Sequence, residues 1–143
     1  MGKYDKYFMT EVKLPESSVK SEAEHPGVYK HVGWLDSNRI EGAFYTECVW
    51  YFKPRLNLVK AHTHDFDEVI AFFGTNPKDI HDLGGEVELW MGGEKHLITK
   101  SCLVFVPKGV EHCPLSFNRI DRPIFHFTAG TGGKYISSIE KVE

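Results

Sequence analysis

A chain of 143 residues with 41% hydrophobic content can bury one well-packed core and is too short for two ordinary domains. Its formal net charge of -3, without any clustered Lys/Arg stretch, gives no electrostatic footprint for a phosphate backbone or an anionic membrane, so no nucleic-acid partner is expected. The polar start, Met1 to Tyr7, has no apolar core followed by a small-residue cleavage site, and no segment approaches the roughly 18 apolar residues of a membrane span. The expectation is a cytoplasmic protein with no membrane partner. Cys48, Cys102 and Cys113 are an odd number with no Cys-x-x-Cys pair, which argues against a disulfide framework or a thiolate zinc site; reduced, mostly buried thiols are expected.

In chain order, residues 1–27 mix charge and polarity and read as an N-terminal extension ending at His25-Pro26-Gly27. Glu16-Ser17-Ser18 and Ser21-Glu22 are candidate loop or single-turn pieces, lying across the barrel or at a subunit contact. Residues 28–143 then read as a single β-domain. Aromatic and β-branched residues gather in short runs separated by Gly, Pro, Asn and Asp. Strands are predicted at Val28 to Trp34, Ala43 to Phe52, a short run leading into His62, Glu68 to Phe73, Glu86 to Met91, Lys95 to Thr99, Leu103 to Val106, His112 to Phe117 and Pro123 to Thr128. This spacing suggests an all-β sandwich or barrel. Gly92-Gly93 predicts a tight hairpin, because two glycines can take φ > 0 and match the strand twist. Residues 75–84, a polar run without periodicity between Gly74 and Gly85, are long for a connection and read as a candidate lid.

The segment His62-Thr63-His64-Asp65-Phe66-Asp67-Glu68 carries the chemistry. Alternation in a strand points His62 and His64 the same way and Thr63 the other. Glu68 shares their parity and can add an anionic oxygen. Val106-Pro107-Lys108-Gly109 fits a type I turn, with Pro second and Gly fourth, and delivers a third imidazole, His112. A bare His-x-His is a weak signal, since both rings could face solvent with Thr63 buried; the added Glu and Pro-x-Gly-x-x-His make it a metal-site signal. Three neutral imidazoles and one carboxylate suit one divalent transition metal ion, Fe, Mn, Ni, Co, Cu or Zn, with about two positions of an octahedral shell left open.

His62-x-His64-x-x-x-Glu68 followed by Gly74, then Pro107-x-Gly109-x-x-His112, resembles the two motifs of the cupin superfamily. The resemblance covers about Phe44 to Thr128 and implies a double-stranded β-helix, or jelly-roll barrel, with His62, His64, Glu68 and His112 as metal ligands and a homodimer as assembly, its contact expected through the N-terminal segment and an exposed sheet edge. Departures fall at turn and support positions: Leu56 and Ser101 stand where the two motifs usually open with Gly, Ser116 where Asn is frequent, and Gly74 arrives one residue early.

Around that site, Tyr45, Glu47 and Tyr51 share one face of the second strand and line the cavity if that face is inward. The other face, with Phe44, Cys48, Trp50 and Phe52, is the more apolar, and apolar burial would claim the interior for it and leave Glu47 exposed. His126, between Phe125 and Phe127, is a candidate hydrogen-bond partner of a ligand or a general base, against the plainer reading of a hydrogen-bonded strand histidine. His81 reads as a solvated loop histidine, Asp65 and Asp67 as a solvated turn, and His25, His31 and His96 belong to no constellation. The functional expectation is a divalent-metal-dependent enzyme acting on a small oxygen-rich molecule, by Lewis-acid isomerase, lyase or decarboxylase chemistry or as a dioxygenase. The alternative is a non-catalytic sensor or carrier of a metal-chelating small molecule.

Overall fold

A computed structural model describes residues 2–132; the last part of the expected 28–143 domain lies outside the described residues. Eight strands are present among those residues: β1 Tyr29–Leu35, β2 Tyr45–Tyr51, β3 Glu68–Phe73, β4 Asp82–Met91, β5 Glu94–Lys100, β6 Cys102–Val106, β7 His112–Ile120 and β8 Ile124–Gly130. They form an antiparallel five-stranded sheet, β1-β2-β8-β3-β6, and an antiparallel three-stranded sheet, β5-β4-β7. Between the sheets lies a core in which Phe72, Leu83, Val87, Phe117 and Ile124 are wholly inaccessible. Residues 55–62 run beside β7 through bridges at Arg55–Phe117 and His62–His112, so the smaller sheet gains an irregular fourth edge carrying the first histidine.

Three local readings are corrected. The N-terminal extension contains a real helix, α1 (Glu16–Glu24), without a buried residue of its own. Its weak periodicity hid it, and it is held by long-range polar contacts described below. Pro26 and Gly27 (φ 76°) end it, as a proline and a left-handed glycine just past a C-cap do. Strand β4 starts at Asp82, so residues 82–85 belong to the sheet, with an irregular register between Asp82 and Val87. The remaining connection follows Phe73, at the far end of β3 from Glu68, which places it away from the site; the lid expectation fails on that geometry. The turn before His112 closes by Val110 N–H donating to Pro107 O at 3.1 Å. Gly109 (φ 85°) then sits at the third position, where a type II turn needs φ > 0, rather than at the fourth position of a type I turn.

Packing accounts for Gly74 and two motif departures, and backbone conformation for Gly92 and Gly93. A Cβ on Gly74 would lie 2.0 Å from the Asp82 carbonyl oxygen, so only Gly permits this approach. Its N–H donates to Ser101 Oγ at 2.9 Å, while that hydroxyl donates to Ile80 O, which gives Ser101 its use. Ser116 Oγ likewise accepts the Asn57 N–H at 2.8 Å. Gly92 and Gly93 take φ of 60° and 80° between paired Met91 and Glu94, the predicted hairpin.

The inward face of β2 is the odd one: Tyr45, Val49 and Tyr51 are buried, whereas Phe44 and Phe52 are exposed. The more apolar face instead joins the outer surface of the five-stranded sheet. There Trp50 packs on Phe125 at 5.0 Å between ring centroids and Phe73 lies 6.1 Å from Phe127. Leu103 and Phe105 on edge strand β6 continue this outer face, 63% and 57% exposed.

Candidate metal centre

Alternation through the first histidine segment is strict: His62, His64, Phe66 and Glu68 are buried, while Thr63, Asp65 and Asp67 are exposed. Phe66 stacks on His64 at 4.7 Å and fixes the ring. His62 and His112 exchange both backbone hydrogen bonds at 3.0 Å, which sets their imidazoles side by side. Gly109 N–H donates to His64 O and Lys108 N–H to Asp67 Oδ1. The second motif is therefore docked on the first through the backbone, and exposed Asp67 serves as the clasp rather than as a merely solvated residue.

The three imidazoles place their ligating nitrogens within 4.8 Å of one another. His62 Nδ1 lies 2.7 Å from Lys60 O and His112 Nδ1 3.0 Å from Val110 O. A carbonyl only accepts, so both Nδ1 atoms carry the proton and both Nε2 atoms present a lone pair. His112 Nε2 is 3.0 Å from Glu68 Oε1 yet buried without a hydrogen bond, while His62 Nε2 accepts from His64 Nε2 at 3.1 Å, which in turn lies 3.8 Å from Glu68 Oε2. Burial, with smaller contributions from neighbouring imidazoles, holds His62 down to about 4, and burial also lowers His64. Three imidazoles and a carboxylate converging on one buried point are a donor set that fits a divalent transition metal.

The site opens onto a cavity of about 240 Å³. The second strand and β8 supply its other wall, where the sequence candidates Tyr45, Glu47 and His126 all line the same space. Tyr45 donates to Glu47 Oε1 at 2.6 Å and accepts from Thr128 Oγ1 at 3.1 Å. His126 Nδ1 donates to Ala71 O at 3.1 Å, leaving Nε2 as an acceptor, and its ring stacks on Phe72 at 4.9 Å. Burial lowers the His126 pKa, against the opposing charges of Glu47 and Glu68, so the ring is neutral at pH 7.

Sequence reading assigned His31 no constellation, and here the structure differs. His31 Nε2 contacts Glu47 Oε2 at 2.5 Å and its Nδ1 contacts Glu22 Oε2 at 2.8 Å. Carboxylates only accept, so an imidazole donating to both is the charged form. Burial by itself would lower His31, yet Glu47 and Glu22 raise it above its ordinary value. Burial likewise works against the lowered values of Glu47 and Glu22, which the His31 hydrogen bonds bring about. Helix α1 is thus tied through Glu22 to the cavity wall, and Lys30 closes the outer end at 2.9 Å from Glu22. The parity of Tyr29 and His31 was the available signal, but the partner on a helix nine residues earlier was not. Arg55, which also lines the cavity, was missed because a lone arginine after Lys53-Pro54 has no pattern. His81 and His96 are exposed, while His25 Nδ1 donates to Ser21 O at the end of α1.

Cys48, Cys102 and Cys113 are free, and only Cys113 is fully buried; burial, then the Glu68 charge, pushes its thiol up to about 12. The thiol is inert at neutral pH. No described helix is long and apolar enough to cross a membrane.

No protein-family profile and no curated protein sequence matches this chain. Solved structures do match. An oxalate oxidase in complex with glycolate aligns over 91% of this chain and 61% of its own, with 14% identity and a TM-score of 0.54. An RmlC-like cupin from Shewanella frigidimarina NCIMB 400 aligns over 87% and 86%, with 16% identity and a TM-score of 0.46. The DMSP lyase DddQ from Ruegeria pomeroyi DSS-3 aligns over 67% and 42%, with 20% identity and a TM-score of 0.43. The chain thus spans less than two thirds of the oxalate oxidase and the lyase, and identities this low speak to fold alone.

Proposed function

On the double-stranded β-helix fold of the cupins, which this chain has, we propose that it is a divalent-metal-dependent enzyme acting on a small oxygen-rich molecule by proton transfer. The observation that carries the reading is the set of imidazole nitrogens from His62, His64 and His112, with Glu68 against them, converging at the wall of a cavity that also holds a neutral imidazole and an ionised carboxylate. When bound, the ion supplies Lewis acidity, polarising a carbonyl or hydroxyl oxygen of the substrate. His62, His64, Glu68 and His112 would hold it.

The chain's own groups then divide the work. His126, neutral and with Nδ1 committed to Ala71 O, keeps Nε2 free to take a proton from a substrate carbon or hydroxyl, the task of a general base. Glu47 is engaged on both oxygens, by His31 and Tyr45. Its low pKa makes it a weak base, so its role is to hold the Tyr45 hydroxyl and orient it. Tyr45 in turn positions Thr128 Oγ1 and the substrate oxygen nearest to them. Helix α1, tied down by Glu22, restricts water at that wall.

The reading includes a homodimer, and the exposed Leu103 and Phe105 on edge strand β6 support the sheet edge as part of its contact. Metal analysis by mass spectrometry tests the central reading: about one transition metal per chain, lost in His62→Ala and His112→Ala, is expected. Proton NMR in deuterium oxide then reads the chemistry. Metal-dependent exchange of a hydrogen beside the carbonyl of a small hydroxy-ketone or keto-acid, abolished by His126→Gln, is the expected outcome. Tight ligand binding with no exchange and no turnover would instead make the chain a carrier, and a metal-free chain would end the proposal.

A further inference from the structure

Arg55 is a half-buried cation that lines the same cavity as the imidazole cluster. Its guanidinium lies over the Tyr29 ring, 4.4 Å from the centroid, and Nη2 donates to Ser21 Oγ of α1 at 3.4 Å. Among the described residues it forms no ion pair, whereas Lys30, His31 and Arg119 each have a carboxylate partner. Its backbone is fixed independently of the side chain, since Arg55 and Phe117 exchange both main-chain hydrogen bonds, at 3.0 and 2.7 Å. The guanidinium is therefore a placed positive charge facing the cavity without a carboxylate partner among the described residues.

Two carboxylates line the cavity, Glu47 and Glu68. Protonated His31 neutralises Glu47, and a divalent ion would outweigh Glu68 by one charge. Arg55 then adds a second uncompensated positive charge. On the reading proposed above, on which this inference rests, the loaded cavity is complemented by a dianion, one end on the ion and the other on Arg55.

We propose that Arg55 is the anchor for a substrate carboxylate, so that the enzyme's substrates are small organic acids whose far carboxylate pairs with Arg55 while their other oxygens meet the metal. A planar guanidinium fork matches a carboxylate bidentately. Hydroxyls of Ser21 and Tyr51 flank the guanidinium and Ser17 and Ser18 of α1 line the same cavity, so inorganic phosphate is the competing ligand; no lysine lines the cavity to assist it, and the single planar fork favours the carboxylate. Register gives the reach. Arg55 pairs with Phe117 and His62 with His112, five residues apart on β7, or about 17 Å between backbones at ~3.3 Å per residue. Both side chains reach inward across this gap, and the long arginine shortens it, which suits a short chain of carbons rather than a single carbon between the two ends.

Titration calorimetry with succinate, glutarate and adipate, each against the monocarboxylate of equal length (butyrate, pentanoate, hexanoate), tests this on full-length protein, manganese-loaded and metal-free. At least one dicarboxylate is expected to bind manganese-loaded wild type at least tenfold more tightly than its monocarboxylate. Arg55→Met should erase that preference while leaving monocarboxylate affinity within twofold, which also shows that the variant is folded; Arg55→Lys should restore part of it. A preference absent from wild type, or retained in Arg55→Met, overturns the proposal. So does inorganic phosphate binding more tightly than every dicarboxylate in an Arg55-dependent way. Metal content measured on the same samples separates the two readings: a chain that takes up no metal sinks the enzyme proposal, and the Arg55 anchor is then upheld or overturned by whether metal-free protein keeps an Arg55-dependent preference for the dicarboxylate.

Discussion

Replacing His31 by Gln should destabilise the metal-free protein by about 3 kcal/mol, the low end of the cost of removing one partner from a buried ion pair. His31 is 5% exposed at its side chain, between Glu22 at 13% and Glu47 at 23%; the partial opening of Glu47 to the cavity is the reason for taking the low end. For a domain of this size the loss corresponds to a fall in Tm of roughly 9 °C. The pH dependence follows from the directions of the shifts. His31 is raised above 6.5, so its contribution is complete below pH 6.5 and is lost as pH rises through the folded-state value. Glu22 and Glu47 are lowered below 4.5, so theirs is complete above pH 4.5 and is lost as pH falls through the folded-state values. The bridge is therefore at full strength between pH 4.5 and 6.5. Urea unfolding in the presence of a chelator, at about pH 6 and about pH 9, should show the full cost of His31→Gln at the lower pH and at most half of it at the higher. His31→Gln/Glu47→Gln should recover about half, because it removes the carboxylate left unpaired. A cost below about 1 kcal/mol at pH 6, or one that does not change with pH, would refute the assignment of a charged bridge.

A divalent ion at one hundred times its Kd should stabilise wild type by about 2.7 kcal/mol, read as a thermal shift of several degrees; in His112→Ala, which removes one of the proposed ligand nitrogens, the shift should vanish. Gly74→Ala should cost on the order of 3 kcal/mol in urea unfolding, since its Cβ would meet the Asp82 carbonyl at 2.0 Å and backbone cannot swing aside. A near-neutral result would mean that this approach is not held in solution. Phe105→Glu, on a side chain 57% exposed, should convert a dimer to monomer by light scattering without loss of helix or strand signal; an unchanged mass would remove the sheet edge as part of the dimer contact.

The period-2 alternation of His62, His64, Phe66 and Glu68 and the Pro-x-Gly-x-x-His spacing made the metal cluster legible in the sequence, because strand parity and turn chemistry are local and act over a few residues. The short strands and the Gly92-Gly93 hairpin were legible for the same reason. Which face of β2 turns inward was not. Apolar content pointed to Phe44, Cys48, Trp50 and Phe52, yet the outer surface of the five-stranded sheet is itself apolar, while the cavity takes Tyr45 and Glu47 because His31 and Thr128 meet them there. The extent of α1 was equally hidden, since it carries no buried residue and depends on Glu22 reaching a strand that follows it. His31 acquires its role through partners remote in sequence, and the role proposed for Arg55 depends on its having no carboxylate partner among the described residues of the shared cavity. The sequence by itself determined the members of the imidazole cluster and the strands, whose signals are local patterns of a few residues. Only the tertiary structure decided the charge balance of the cavity, because electrostatic pairing depends on distance in space and no local pattern encodes it.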